Sequence, residues 1–274
     1  MSSALLRSGT EEHGEGGLGE YILHHLSDSN QWLGTHLPVI KFNLLGTEID
    51  LSITLHVWRL WFAGALLILM FWLSFRKPRM VPRGLAGVLE TVVLFVRDEI
   101  AIPNIGENLG KRLTPFLATV FFFILGCNLL GLIPIFSTAT ANISVTASLA
   151  LVTFMMTQLY GMKENGVVAY WKHLVPSSVP WFLLPIMIPI EILSLFTKPF
   201  ALAMRLFANM IAGHTVIYAL LGLIIVLASY VAAPVSVAFA MAIYFLELFV
   251  AFLQAYIFTI LTSLFIGMAA HPEH

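Results

Sequence analysis

Apolar residues along this chain gather into five tracts long enough to cross a bilayer, separated by short polar or basic links. The first, about 53–75 (ITLHVWRLWFAGALLILMFWLSF), exceeds the roughly 20 residues that a helix needs to span a hydrocarbon core of about 30 Å. Its His56 and Arg59 stand near the start, where long polar side chains reach the interface. Further spans are expected at about 113–135 and 143–162. The second of these is rich in Ser, Thr and Ala, residue types that let helices pack closely in lipid. The last two tracts, about 181–223 and 231–269, would each run roughly 60 Å as single helices, twice the hydrocarbon thickness. Such helices must tilt steeply or bend, and Pro185, Pro189, Pro199 and Pro234 offer places to bend.

One helical pattern is not a span. Over about 82–101 (PRGLAGVLETVVLFVRDEIA), Leu85, Val88, Leu89, Val92 and Val96 repeat at helical spacing, while Arg83, Glu90 and Arg97 recur every seven residues on another side. That pattern predicts an amphipathic helix on the cytoplasmic surface. Residues 1–50 are polar and mixed, and LGEYILHHLSDSNQWL (18–33) predicts a short surface helix ahead of the membrane domain 51–274. The opening MSSALLRSGTEEHGEGGLGEY lacks the apolar core of a secretory signal, so the N-terminus is expected to be retained.

Composition places the chain firmly in the membrane. Hydrophobic residues make up 59% and charged residues only 11%, against about 25% charged in a soluble domain. Mean hydropathy is +0.90. The expected fold class is therefore an all-α polytopic membrane protein. It has about five transmembrane helices, a cytoplasmic-surface amphipathic helix, and two long, strongly tilted helices at the end. The sparse charge sets the orientation. Basic clusters at 76–83, at Lys111–Arg112 and between Lys163 and Lys172 mark cytoplasmic loops, leaving the N-terminus outside and the C-terminus inside.

Several chemistries are excluded. A net charge of −1 without any long basic run argues against nucleic acid as a partner. One cysteine, Cys127, rules out an internal disulfide. His24 and His25 are adjacent and point to different helix faces, so no metal site is expected. No phosphate-cradling glycine loop is present, and no cofactor is expected.

The polar residues inside the apolar tracts carry the chemistry. Glu191, Lys198 and Arg205 are spaced seven apart and drift only about 20° per step around a helix. Ser194 lies four before Lys198 and Asn209 four after Arg205, on nearly the same side. On the last tract Glu247 and Gln254 are again seven apart. Pairing the two tracts antiparallel brings Gln254 towards Arg205 and Glu247 towards His214. Ser194, Gln158 and Asn128 can equally be helix-to-helix glue, and Lys198 can snorkel or pair with Glu191. Arg205 is harder to explain as packing, because an arginine at mid-membrane costs about 2.5–3.5 kcal/mol even on insertion scales. It stays charged at any physiological pH, so it acts as a fixed charge rather than a relay. No carboxylate on the stripe lies near it, which points to a partner on another subunit. His214 and Glu247, by contrast, can both titrate and make a plausible proton relay.

At these residues the chain resembles subunit a of the F-type ATP synthase. The stretches NLLGLIPIF with TATANISVT, EILSLFTKPFALAMRLFANMIAGH and FLELFVAFLQAYIFTILTSLFIGMA are similar to that family's most recognisable segments, and EYILHHL resembles the bacterial N-terminal segment. The resemblance covers nearly the whole chain. It implies a stator beside a rotating c-ring, each c subunit carrying one membrane-buried carboxylate, with peripheral-stalk b subunits as further partners in the bacterial plasma membrane. Two offset aqueous half-channels would meet the ring on opposite sides of Arg205. Asn209, His214, Glu247 and Gln254 would line the outer one, and the face carrying Glu191, Ser194 and Lys198 the inner. One departure stands out: some bacterial relatives carry Glu on the first long helix and His on the second, whereas here His214 and Glu247 exchange those types. The subunit would pass protons and not catalyse alone. A sodium-coupled stator is the alternative, a secondary transporter a more distant one, and a purely structural assembly subunit a third.

Overall fold

The computed structural model describes residues 31–32, 35–36, 41–44, 47–50, 55–76, 83–133, 139–173, 181–227 and 232–271. Two short antiparallel hairpins come first: β1 (Gln31–Trp32) with β2 (Thr35–His36), and β3 (Lys41–Leu44) with β4 (Thr47–Asp50), the latter pairing Lys41 with Asp50 and Leu44 with Thr47. The helix expected over 18–33 lies outside the described residues except at its end, where Gln31–Trp32 is strand rather than helix. Phe42 and Ile49 alternate with polar neighbours at the period of two that suits a pleated ribbon.

Among the described residues, seven helices of seven residues or more follow: α1 (Leu55–Phe75), α2 (Leu85–Phe95), α3 (Glu107–Leu132), α4 (Ile143–Asn165), α5 (Val167–His173), α6 (Leu184–Leu227) and α7 (Ala232–Ala270). Five of them, α1, α3, α4, α6 and α7, are long and apolar enough to cross a membrane. The chain is a helical multi-pass membrane protein. With 44 and 39 residues, α6 and α7 far exceed a perpendicular span. Pro189 and Pro199 lie inside α6, where each removes a backbone hydrogen bond.

The core sits around α3, whose Leu113, Leu117 and Ile124 are fully buried. Phe122 meets Phe71 of α1 edge-on at 5.1 Å between ring centroids. From α6 the row Leu202, Leu206 joins this core, and from α7 Ala255, Phe258 and Ile266. Small and hydroxylated residues let α7 pack tightly. Thr259 and Thr262 are buried, and each returns its hydroxyl to the carbonyl four residues back at 2.8 Å, so no polar hydrogen is left in an apolar interface.

α2 differs in detail from its pattern. Leu89 and Val96 turn into the core as expected, but Leu85 and Val88 are exposed. Beyond Phe95 the helix widens into a π turn over Val96–Ala101 and ends at Ile105. There it passes beneath the C-terminal end of α7. Ser263 donates to the Ile100 carbonyl at 3.0 Å, and His271 Nε2 lies 3.1 Å from the Ile105 carbonyl. From α4, Asn165 Nδ2 reaches the Ala269 and Ala270 carbonyls at 3.0 and 3.1 Å. At about 1 kcal/mol net each, these bonds fix the end of α7 on which the seam with α6 depends.

Candidate functional site

α6 and α7 face each other along a seam built from small residues. Near its middle, His214 Nε2 lies 3.8 Å from Glu247 Oε1, with side-chain exposures of 11% and 4%. Gly213 makes this approach possible. A Cβ there would stand 2.8 Å from Glu247 Cδ and closer still to Oε1, so the carboxylate keeps this position only beside a glycine. The His214 ring also stacks on Tyr218 one turn further along α6.

Four polar atoms in and around the seam are buried without a hydrogen-bond partner: both Glu247 oxygens, Gln254 Nε2 and Asn209 Nδ2. Groups of this kind normally find partners, since leaving one unpaired costs about 1–3 kcal/mol. Four of the six such atoms among the described residues gather here. Asn128 is only partly satisfied: its Oδ1 accepts from the Thr140 hydroxyl at 2.9 Å, while its Nδ2, like Ser74 Oγ, is buried without a partner.

Arg205 points the other way. It is exposed on α6, on a face it shares with exposed Ala201, Ala208 and Ala212, while Leu202, Leu206 and Met210 turn inward. Among the described residues no carboxylate stands within ion-pair reach of it. α7 also exposes apolar side chains, among them Phe245, Phe249 and Phe252. A permanent cation thus sits on an apolar, small-residue surface that another helix could approach closely. The structure does not bond Gln254 to Arg205 among the described residues; the amide turns into the seam instead.

Glu191 and Lys198 line a separate cavity of about 180 Å³ between α4, α6 and α7, together with Gln158 and Tyr170. They make no ion pair among the described residues, and Lys198 Nζ lies 5.7 Å above the centre of the Phe265 ring. Ser194 is half-buried and does not line the cavity. Two contributors were not evident in the sequence. Gly213 is not singled out there, and Tyr170 falls in the loop between Lys163 and Lys172. Neither role has a local signal, because each depends on a residue of another helix.

This architecture defines a class: a polytopic helical membrane protein whose two longest helices carry a buried titratable pair, unpaired amides and a fixed cation on the outer face. The family model for "ATP synthase A chain" matches residues 57–267. The chain is 56% identical over 229 residues to ATP synthase subunit a of Myxococcus xanthus, a match covering 82% of this chain and 75% of the relative. To the subunit a of Chloroherpeton thalassium it is 49% identical over 263 residues, covering 92% and 77%. To that of Chlorobium phaeobacteroides strain BS1 it is 48% identical over 272 residues, covering 96% and 79%. The chain belongs to the ATP synthase A chain family, and it is a membrane subunit rather than an enzyme in its own right.

Proposed function

We propose that this chain is the proton-conducting stator of an F-type ATP synthase in a bacterial plasma membrane, with its N-terminus outside and its C-terminus in the cytoplasm. Its partners are a c-ring, against which the exposed face of α6 and α7 lies, and peripheral-stalk b subunits. The observation that carries this reading is Arg205 on its apolar, alanine-lined face. In a lipid-facing position the guanidinium would be costly, whereas opposite a ring of moving carboxylates it has a partner at every step. Arg205 holds each arriving c-subunit carboxylate in its ionised form and, being permanently charged, repels protons that would pass straight across.

Two half-channels then meet the ring on either side of Arg205. The seam with His214, Glu247, Asn209 and Gln254 forms the outer one, where unpaired buried donors and acceptors suit a file of water molecules. Glu191, Ser194 and Lys198 belong to the inner one. Protons enter from one side, ride the ring round and leave by the other, each driven by about 2.3 kcal/mol per 100 mV. A titratable imidazole–carboxylate pair favours protons over sodium, since sodium needs a cage of oxygen ligands.

The test is ATP-driven proton pumping in inverted vesicles. Arg205→Ala is expected to abolish pumping while the assembled complex still co-purifies with its c-ring. Arg205→Lys is expected to fail as well, because an ammonium lacks the planar fork and can lose its proton when desolvated. Near-normal pumping in Arg205→Lys vesicles, or pumping that requires sodium, would refute this reading.

A further inference from the structure

The cavity holding Glu191 and Lys198 is a partly open cleft that is also lined by Gln158 of α4 and Tyr170 of α5. Tyr170 is unlike its neighbours. α5 is a seven-residue helix in a polar link, and its Val167, Val168 and Trp171 are all exposed. Tyr170 alone among these four is buried, at 8% exposure.

Two contacts hold it. Its hydroxyl donates to Gln158 Oε1 at 2.9 Å. Its ring lies against Gly161, where a Cβ would come within 3.0 Å of Tyr170 Cδ2, closer to Cε2, and 3.1 Å from the Ala269 Cβ. Gln158 and Gly161 are three apart on α4 and therefore share a face, so α4 presents a hydrogen-bond acceptor and a ring-sized slot side by side. Burial pushes the Tyr170 phenol up, more than the Gln158 bond draws it down, which keeps the hydroxyl a donor. α5 is thus pinned across the cavity by one side chain.

We propose that Tyr170 is a positioning residue that, bonded to Gln158 and seated in the Gly161 slot, sets the width of the cytoplasmic mouth of the inner half-channel. The inference rests on the stator reading and adds to it a boundary for the inner path. When Tyr170 leaves its slot, α5 loses its inward anchor and the partly open cleft widens towards the cytoplasm. When it is seated, protons released near Glu191 and Lys198 pass through a narrow polar gap beside the phenol and the amide.

The experiment uses the complete synthase in inverted vesicles, whose cytoplasmic face is outward. A Thr157→Cys reporter in the cavity wall is labelled with a water-soluble cationic methanethiosulfonate, the native Cys127 being buried. Tyr170→Phe keeps the ring and loses the hydrogen bond. It is expected to speed labelling about fivefold, the equivalent of about 1 kcal/mol of closure. Tyr170→Ala, and independently Gly161→Ala with Tyr170 intact, are expected to speed it further. In vesicles stripped of the catalytic sector, the same variants should raise passive proton conductance. Tyr170→Phe also guards against misfolding, since it leaves the packing unchanged. Equal labelling rates in all variants would overturn the proposal. So would faster labelling with unchanged conductance, since the proton path would then run elsewhere. Failure of the stator reading shows differently: Arg205→Ala vesicles would keep pumping whatever the labelling reports.

Discussion

The His214–Glu247 pair permits a quantitative test. At 3.8 Å, a carboxylate and an imidazolium attract by about 4 kcal/mol at an effective dielectric of 20. Burial of both side chains opposes that attraction, so the net coupling is expected at about 1–2 kcal/mol, within the range found for contacting residues. In rate terms this is a factor of about 5–30. The perturbation is a double-mutant cycle of His214→Ala, Glu247→Ala and the double variant, read as initial rates of ATP-driven pumping in inverted vesicles across pH 6 to 8. Each single change leaves the other group buried without its partner, so each is expected to slow pumping, and the double variant to be less impaired than the sum of the two losses. The exchange His214→Glu with Glu247→His rebuilds an imidazole–carboxylate pair in the opposite sense. It should recover more activity than either half of the exchange alone, though not all, because the Gly213 slot was shaped around a carboxylate and must take a ring. Losses that add to within about 0.3–0.5 kcal/mol would show that the two groups do not act together. An exchange no better than its worse half would place the outer half-channel elsewhere.

Two further outcomes follow from the packing and a third from the topology. Gly213→Ala inserts a methyl where the Glu247 carboxylate lies. Because that carboxylate ends a flexible side chain it can swing aside, so assembly should be normal while pumping falls about tenfold or more; unchanged pumping would remove Gly213 from the site. Gly267→Ala instead drives a methyl into the Asn104 backbone carbonyl, which cannot move without the π-turn segment. It should cost about 1–3 kcal/mol and lower the thermal stability of the detergent-solubilised complex, and an unshifted melting curve would contradict the tight approach. For topology, a Thr10→Cys variant should react with impermeant thiol reagents only from outside the cell; reaction solely from the cytoplasmic side would invert the proposed orientation.

Much of the molecule was legible in one dimension. The five long apolar helices, the helix starting at Leu85 and the excess length of α6 and α7 all follow from hydropathy and helical period, which are local properties that lipid enforces strictly because every backbone polar group must be satisfied within its own helix. Arg205 stood out for the same reason: a permanent charge in an apolar tract is expensive wherever the helix goes. The tertiary structure decided what depends on two helices at once. Seven-residue spacing placed Glu191, Lys198 and Arg205 on one stripe, yet the first two line a cavity with α4 and α7 while Arg205 faces outward. His214 and Glu247 meet only at one register of α6 against α7, since sliding either helix by a turn would part them by about 5.4 Å. The emptiness of Gly213 and the inward turn of Tyr170 acquire meaning only from Glu247 and Gln158 across the interface. A side chain's chemistry is written in its own position, but its partner is set by the crossing of helices far apart in the chain.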